Sequence, residues 1–131
     1  MKSPTKKQSI ETERAPSAIG PYSQAVVAGE ILYVSGQIPL DPRTGEIVAG
    51  GLPAQTTRVL DNLKAVVDAA GGTMGNVVKV TIYLTDMQQF AVVNEIYASY
   101  FSSPFPARAC VEVSALPKGV EIEMDAIAHL E

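Results

Sequence analysis

The sequence predicts an α+β fold, a mixed sheet with two helices on one of its faces. Three observations lead there. One long segment, residues 52–72, carries a helical apolar stripe. Residues 78–84 alternate, with Val78, Val80, Ile82 and Leu84 on one face and Lys79, Thr81 and Tyr83 on the other. Shorter strand-like runs are grouped before the first helix and after the second, rather than alternating with helices throughout. With 131 residues, the chain is long enough for one core and too short for two.

Residues 1–13 read as a flexible polar tail, and residues 14–131 as the single domain. "SQAVVAGEILYVSGQIP" reads as two short strands joined at Ala28-Gly29-Glu30, preceded by a turn at Gly20-Pro21. "LDPRTGEIVAGG" is a loop that can continue as a short strand near Glu46 to Val48. In "LPAQTTRVLDNLKAVVDAAGG", Pro53 suits the first turn of a helix and Gly71-Gly72 its end. Leu60, Leu63, Val67 and Ala70 form its apolar stripe.

In "NVVKVTIYL", Val78, Val80, Ile82 and Leu84 share one face. Thr85, with Gln88 three residues on, matches a capping box for the second helix, whose stripe runs Met87, Phe90, Tyr97, Phe101. "ARACVEVSA" and "VEIEMDAIA" close the chain as strands separated by Leu116-Pro117-Lys118-Gly119. The short connection predicts that they pair as a hairpin. The order is thus β-β-(β)-α-β-α-β-β. Two helices cover one face only, and apolar residues such as Val77 and Ile127 remain on the other. Self-association would cover them, so a homo-oligomer is expected.

Composition narrows the function. The 47% hydrophobic content with 18% charged residues belongs to a folded chain. The net charge of −4 leaves no basic stripe for nucleic acid, the more so because Lys2, Lys6 and Lys7 sit in the tail. One cysteine and one histidine, His129, offer neither a disulfide nor a zinc-site spacing, so no metal or other cofactor is expected. The N-terminal stretch has no apolar signal core, and no apolar run reaches membrane-spanning length. The expectation is a soluble cytoplasmic protein without membrane or nucleic-acid partners.

The residues that invite chemistry lie in the last two strands. "PARACVEV" should be a buried strand, with Ala107, Ala109, Val111 and Val113 on one face. Its other face carries Arg108, Cys110 and Glu112. In the final strand Glu121, Glu123 and Asp125 share a face, which a hairpin would bring to Arg108. Two readings stay open: a cross-strand ion pair, or an arginine that receives a small acid while Glu123 handles a water. Cys110 lacks a local base and reads as a small packing residue. Asn94 interrupts the apolar stripe of the second helix, and Tyr22 is held on the Gly20-Pro21 turn.

"APSAIGPYSQAV", "LYVSGQIPLDPRTGE", "QTTRVLDNLKAVVDAAG" and "PARACVEVSALPKGVEIEMDAIA", in that order, resemble the Rid family, specifically its RidA-type imine deaminases. The resemblance runs from about Ile10 to His129. It implies a fold like chorismate mutase of the trimeric type and a homotrimer with clefts between subunits. The implied activity is hydrolysis of 2-imino acids or their enamine tautomers, such as 2-aminoacrylate and 2-iminobutanoate, to 2-oxo acids and ammonia, which protects pyridoxal-phosphate enzymes. It places the carboxylate-binding arginine at Arg108 and the glutamate at Glu123, with Tyr22, Ser35, Asn94 and Cys110 as further cleft residues. Asp125 stands where many relatives have glutamate.

Rival readings are a non-catalytic trimer that binds small carboxylates or proteins, a ribonuclease or translation inhibitor, and a chorismate mutase. The acidic balance speaks against the ribonuclease. One arginine is few for the mutase's dicarboxylate, and a shared fold does not fix function.

Overall fold

The computed structural model describes residues 6–131. Six strands form one mixed sheet in the order β1-β2-β3-β6-β4-β5. They are β1 (Lys7–Ile10), β2 (Ala25–Ala28), β3 (Ile31–Gln37), β4 (Val77–Leu84), β5 (Ala107–Glu112) and β6 (Ile122–His129). The helices are α1 (Gly51–Ala69) and α2 (Phe90–Ala98). Both pack on the same face of the sheet, as the patterning predicts. The short run expected near Glu46 reduces to one bridge, Leu40 to Ile47.

The core lies between this face and the helices. Leu32 and Val34 from β3, Val80, Ile82 and Leu84 from β4, and Ile122 and Met124 from β6 meet Val59, Leu60, Leu63, Val66 and Val67 of α1. Burying a side chain of this size is worth about 1.5–3 kcal/mol, so the stripe rather than intrinsic propensity holds α1 in place. Two buried amides fix the surroundings of the sheet. Asn62 on α1 donates to the carbonyls of Ile38 and Leu40, both at 3.2 Å, and Gln55 accepts from the Glu121 amide at 2.9 Å. Among the described residues no helix is long and apolar enough to cross a membrane.

Four expectations are corrected. Lys7–Ile10 are not tail but an edge strand, antiparallel to β2. Their polar side chains hid a strand that is held by backbone ladder bonds rather than by burial. Residues 1–5 of the expected tail lie outside the described residues. On β4 the register shifts between Val77 and Lys79, so Val77 turns into the core and Val78 is the exposed residue. Asp86, not Thr85, caps the turn leading into α2, accepting from the Gln88 amide at 3.0 Å.

The fourth correction matters most. β5 and β6 do not pair. β4, α2 and β5 form a β-α-β unit, so β5 runs parallel to β4 at the sheet edge. β6 lies on the other side of β4, antiparallel to both β3 and β4. Residues 113–121 carry the chain past the end of β4, tied there by the Val113 amide to the Leu84 carbonyl at 2.8 Å. β5 is therefore an exposed edge strand rather than a buried one.

Among the described residues nothing covers the face away from the helices. It presents Tyr33, which is 49% exposed, together with Thr81, Tyr83, Glu123, Asp125 and Ile127. Val111 on β5 adds to it, 41% exposed.

Candidate active site

The register decides where the candidate residues fall. Arg108 lies beside Val80, Cys110 beside Ile82 and Glu112 beside Leu84. Those β4 residues point into the core, so the polar side chains of β5 face the helix side. Each of them reaches the α2 region. Arg108 Nη1 donates to Asn94 Oδ1 at 2.7 Å, Cys110 Sγ lies 3.8 Å from Met87 Sδ, and Glu112 accepts from the Met87 amide at 2.7 Å. An arginine next to the single cysteine thus sits on a strand whose polar face grips a helix.

Arg108 is held further by two rings. Its guanidinium carbon lies 5.1 Å from the centroid of Phe90 and 5.0 Å from that of Tyr97. Phe90, Asn94 and Tyr97 occupy positions i, i+4 and i+7 of α2, one helix face. That spacing was visible in the sequence, where Phe90 and Tyr97 read only as core. Asn94 does not interrupt the stripe idly, since its carbonyl oxygen takes one edge of the guanidinium. No carboxylate among the described residues pairs with Arg108, so its remaining donors are open. Cys110 is half-buried, which pushes its thiol pKa up, with Arg108 opposing the shift. It stays a neutral thiol at ordinary pH.

Glu123 and Asp125 lie on the opposite face. Glu123 is directly across from Tyr83, and Asp125 from Thr81. The cross-strand ion pair with Arg108 is therefore absent, and so is the shared face that the hairpin predicted. Tyr83 instead donates to Asp125 Oδ2 at 2.9 Å. Neither strand patterning nor motif pointed to Tyr83. Glu123 is half-buried and makes no hydrogen bond or ion pair among the described residues; burial raises its pKa, and the neighbouring Asp125 raises it further. Its carboxylate rests against Gly36 on β3.

Tyr22 and Ser35 belong to this second group. Ser35 Oγ donates to the Ser23 carbonyl at 2.6 Å, and its amide donates to the Gln24 carbonyl at 3.0 Å, so Ser35 ties down the chain next to Tyr22. Buried Gln24 fixes the preceding loop, donating to the carbonyls of Ala15 and Pro16 at 3.2 and 2.7 Å. Tyr22 is left 54% exposed over a concavity of about 310 Å³ that Ser17, Gly36 and Lys118 also line. The candidates thus fall into two groups in one chain: Arg108, Asn94 and Cys110 at the β5 edge, and, away from them, Glu123, Ser35 and Tyr22, with Gly36 lying against Glu123 and also lining the concavity at Tyr22. No group of three or more His, Cys, Asp or Glu among the described residues could hold a metal ion.

Comparison with known proteins gives consistent results. The family model described as Endoribonuclease L-PSP matches residues 12–130. A RutC family protein of Pyrococcus horikoshii is 57% identical over 95% of this chain and 99% of its own length. The human 2-iminobutanoate/2-iminopropanoate deaminase is 50% identical over 91% of this chain and 87% of its own. Among solved structures, Escherichia coli TdcF with bound serine superposes with a TM-score of 0.89 at 46% identity, covering 95% of this chain and 99% of that one.

Proposed function

The chain belongs to the Endoribonuclease L-PSP family, whose members also carry the RutC and Rid names, and from that membership we propose that it hydrolyses 2-imino acids and their enamine tautomers to 2-oxo acids and ammonia. The observation that carries this reading is Arg108. Among the described residues it is a guanidinium positioned only by neutral groups, an amide and two rings, with donors left over for an anion. A planar pair of N–H donors matches a carboxylate, the one group that every 2-imino acid shares. Serine bound to TdcF, itself an α-amino carboxylate, and the deaminase activity in the human relative's name support the same substrate class.

Arg108 and Glu123 lie on opposite faces of one sheet, so the proposed site joins two copies. One subunit supplies Arg108, Asn94 and Cys110, and its neighbour supplies Tyr22, Ser35 and Glu123. The uncovered apolar and carboxylate-bearing face supports the homotrimer that the family resemblance implies.

In the proposed reaction Arg108 holds the substrate carboxylate and fixes C2 against a water. Glu123 takes a proton from that water as its oxygen bonds to C2 of the protonated imine. The resulting carbinolamine carries one hydroxyl and one amino group. Glu123 returns the proton to nitrogen, the C–N bond breaks, and the hydroxyl proton leaves with the departing ammonia as ammonium. A carboxylate whose pKa is raised by burial is a stronger base than one in water, which suits this role. Tyr22 walls the side-chain pocket. The Ser35 hydroxyl proton is already committed to Ser23, so Ser35 can only accept from a ligand. Neutral Cys110 is a wall rather than a nucleophile. Removing such imines would protect the pyridoxal-phosphate enzymes that release them.

The test generates 2-iminobutanoate in situ with a threonine dehydratase and follows its decay. Acceleration by the wild type that is lost in a folded Arg108→Ala protein is the expected result. No acceleration by the wild type would refute the deaminase and leave a carboxylate-binding module. Equal acceleration by both proteins would remove Arg108 from the site.

A further inference from the structure

Gly36 poses a question that backbone geometry does not answer. It lies in β3 where the register against β6 shifts, between Val34 and Gln37. It is not among the glycines with a left-handed φ, so its conformation is open to any residue. It is also exposed, so crowding by the core does not demand a small residue. What excludes a side chain is one group. A Cβ built on Gly36 would lie 2.9 Å from Glu123 Cδ and 3.4 Å from Cγ, and would overlap Oε2 outright. No other atom lies among its three nearest neighbours.

We propose that Gly36 is a positioning residue whose missing side chain forms the seat of the Glu123 carboxylate. The inference rests on the reading above, in which Glu123 handles the attacking water. Glu123 has no hydrogen-bond donor to orient it among the described residues, so shape has to do so. The bulge brings the β3 backbone up to the carboxylate, and the absent Cβ lets Oε2 lie against that backbone. The carboxylate is thereby kept off bulk water and beside Asp125, instead of swinging out. Asp125 on its own strand and Tyr83 across on β4 are the titratable groups facing it, while β3 contributes only Ser35 and Gly36 there.

Because the clash falls on the far end of a flexible side chain, Gly36→Ala should fold, with Glu123 displaced. The charge of the protein is unchanged, which makes this a clean probe of position.

The experiment follows the Glu123 carboxyl carbon by NMR titration in the intact protein, together with imine hydrolysis. In Gly36→Ala the Glu123 midpoint should fall towards the ordinary carboxylate range. Its kcat should drop about 10²-fold, the low end of what general acid–base help supplies, with KM nearly unchanged. In a Glu123→Ala background the same Gly36→Ala change should cost no further activity, because the two act through one group.

An unchanged midpoint, or an equal fractional loss in the Glu123→Ala background, would overturn the seat. If Gly36→Ala fails to fold but the double variant folds, the clash with Glu123 is established by that rescue. If neither folds, Gly36 serves the backbone and the proposal is wrong. Should the wild type hydrolyse no imine, the deaminase reading falls, while the titration alone still decides whether Gly36 seats Glu123.

Discussion

At the β5 edge Arg108 is a cation gripped by neutral groups, an amide oxygen at 2.7 Å and two ring faces near 5 Å. On the open face Glu123 is an anion with no hydrogen-bond or ion-pair partner among the described residues, lying against Gly36 and crowded by a second carboxylate. The first arrangement orients a charge without neutralising it. The second raises the cost of carrying one. Each cluster therefore lacks what the other has, and the sheet between them keeps the two from meeting inside one chain. A site that needs both charges has to be made by assembly.

The largest effect should come from breaking the first cluster. Arg108→Ala removes the proposed carboxylate receptor. Losing one partner of a hydrogen-bonded charge pair that the proposed assembly would desolvate costs about 2–5 kcal/mol, so kcat/KM should fall about 10³-fold. The sharper version mixes two inactive proteins. Arg108→Ala and Glu123→Gln subunits, unfolded together and reassembled at equal ratio, should recover about a quarter of wild-type activity. At random mixing one junction in four joins an intact Arg108 to an intact Glu123. A mixture no more active than its parents would place both groups in one subunit's site and dissolve the contrast.

Breaking the second cluster should cost less. Glu123→Gln keeps the shape of the side chain and removes the proposed base, for an expected loss of about 10²-fold in kcat. In the proposed reaction the same group should set the acid limb of the wild-type pH profile. Burial and Asp125 raise its pKa, so activity that needs the ionised form should fall as pH drops through a midpoint above the ordinary carboxylate range. A limb at or below the ordinary range in a kcat/KM profile would mean that Glu123 is more solvated than its seat implies.

These two clusters also mark where the sequence was legible. Alternation at Val80, Ile82 and Leu84 and the stripe through Leu60, Leu63 and Val67 gave the α+β class, and the motifs around Arg108 and Glu123 gave the residues of the candidate site. They did not give pairing. The loop at Leu116 to Gly119 looks short enough for a hairpin, and period-2 patterning is the same whether a strand pairs with the next one or crosses past another. That ambiguity put Arg108 and Glu123 on one face when the register puts them on two. Lys7–Ile10 was missed because an edge strand of polar residues carries no burial signal. Tyr83, Phe90, Tyr97 and Gly36 were missed because their partners lie far along the chain. Only the i, i+4, i+7 spacing of Phe90, Asn94 and Tyr97 could have been read in advance, given that the arginine needs a holder.

A smaller effect is expected from loosening Arg108 without removing it. Asn94→Ala deletes the hydrogen bond from Nη1 and leaves the two rings in place. A hydrogen bond to a charged group is worth about 1.5–3 kcal/mol, but Asn94 is exposed and water can replace it, so KM should rise only about tenfold. An unchanged kcat alongside that rise would show that Asn94 acts on binding of the carboxylate. A fall in kcat with constant KM would instead make Asn94 part of the second cluster's chemistry.

The smallest predicted effect runs against intuition, since it has a damaging substitution improving the fold. A carboxylate whose folded pKa lies above its unfolded value binds a proton more tightly in the native state. Its contribution to stability is complete below the unfolded pKa and is lost as pH rises through the folded one. At neutral pH Glu123 is therefore a net liability, and Glu123→Gln, which keeps the side chain neutral, should raise the melting temperature by a few degrees. The gain should shrink as pH falls, and vanish once Glu123 is protonated in both states. Arg108 offers no such gain, because its charge sits against an acceptor and two ring faces that stabilise it. If Glu123→Gln instead lowers the melting temperature at neutral pH, the assembled protein supplies a cation to Glu123 that the single chain lacks. The contrast between a stabilised and an unstabilised charge would then hold only before the subunits meet.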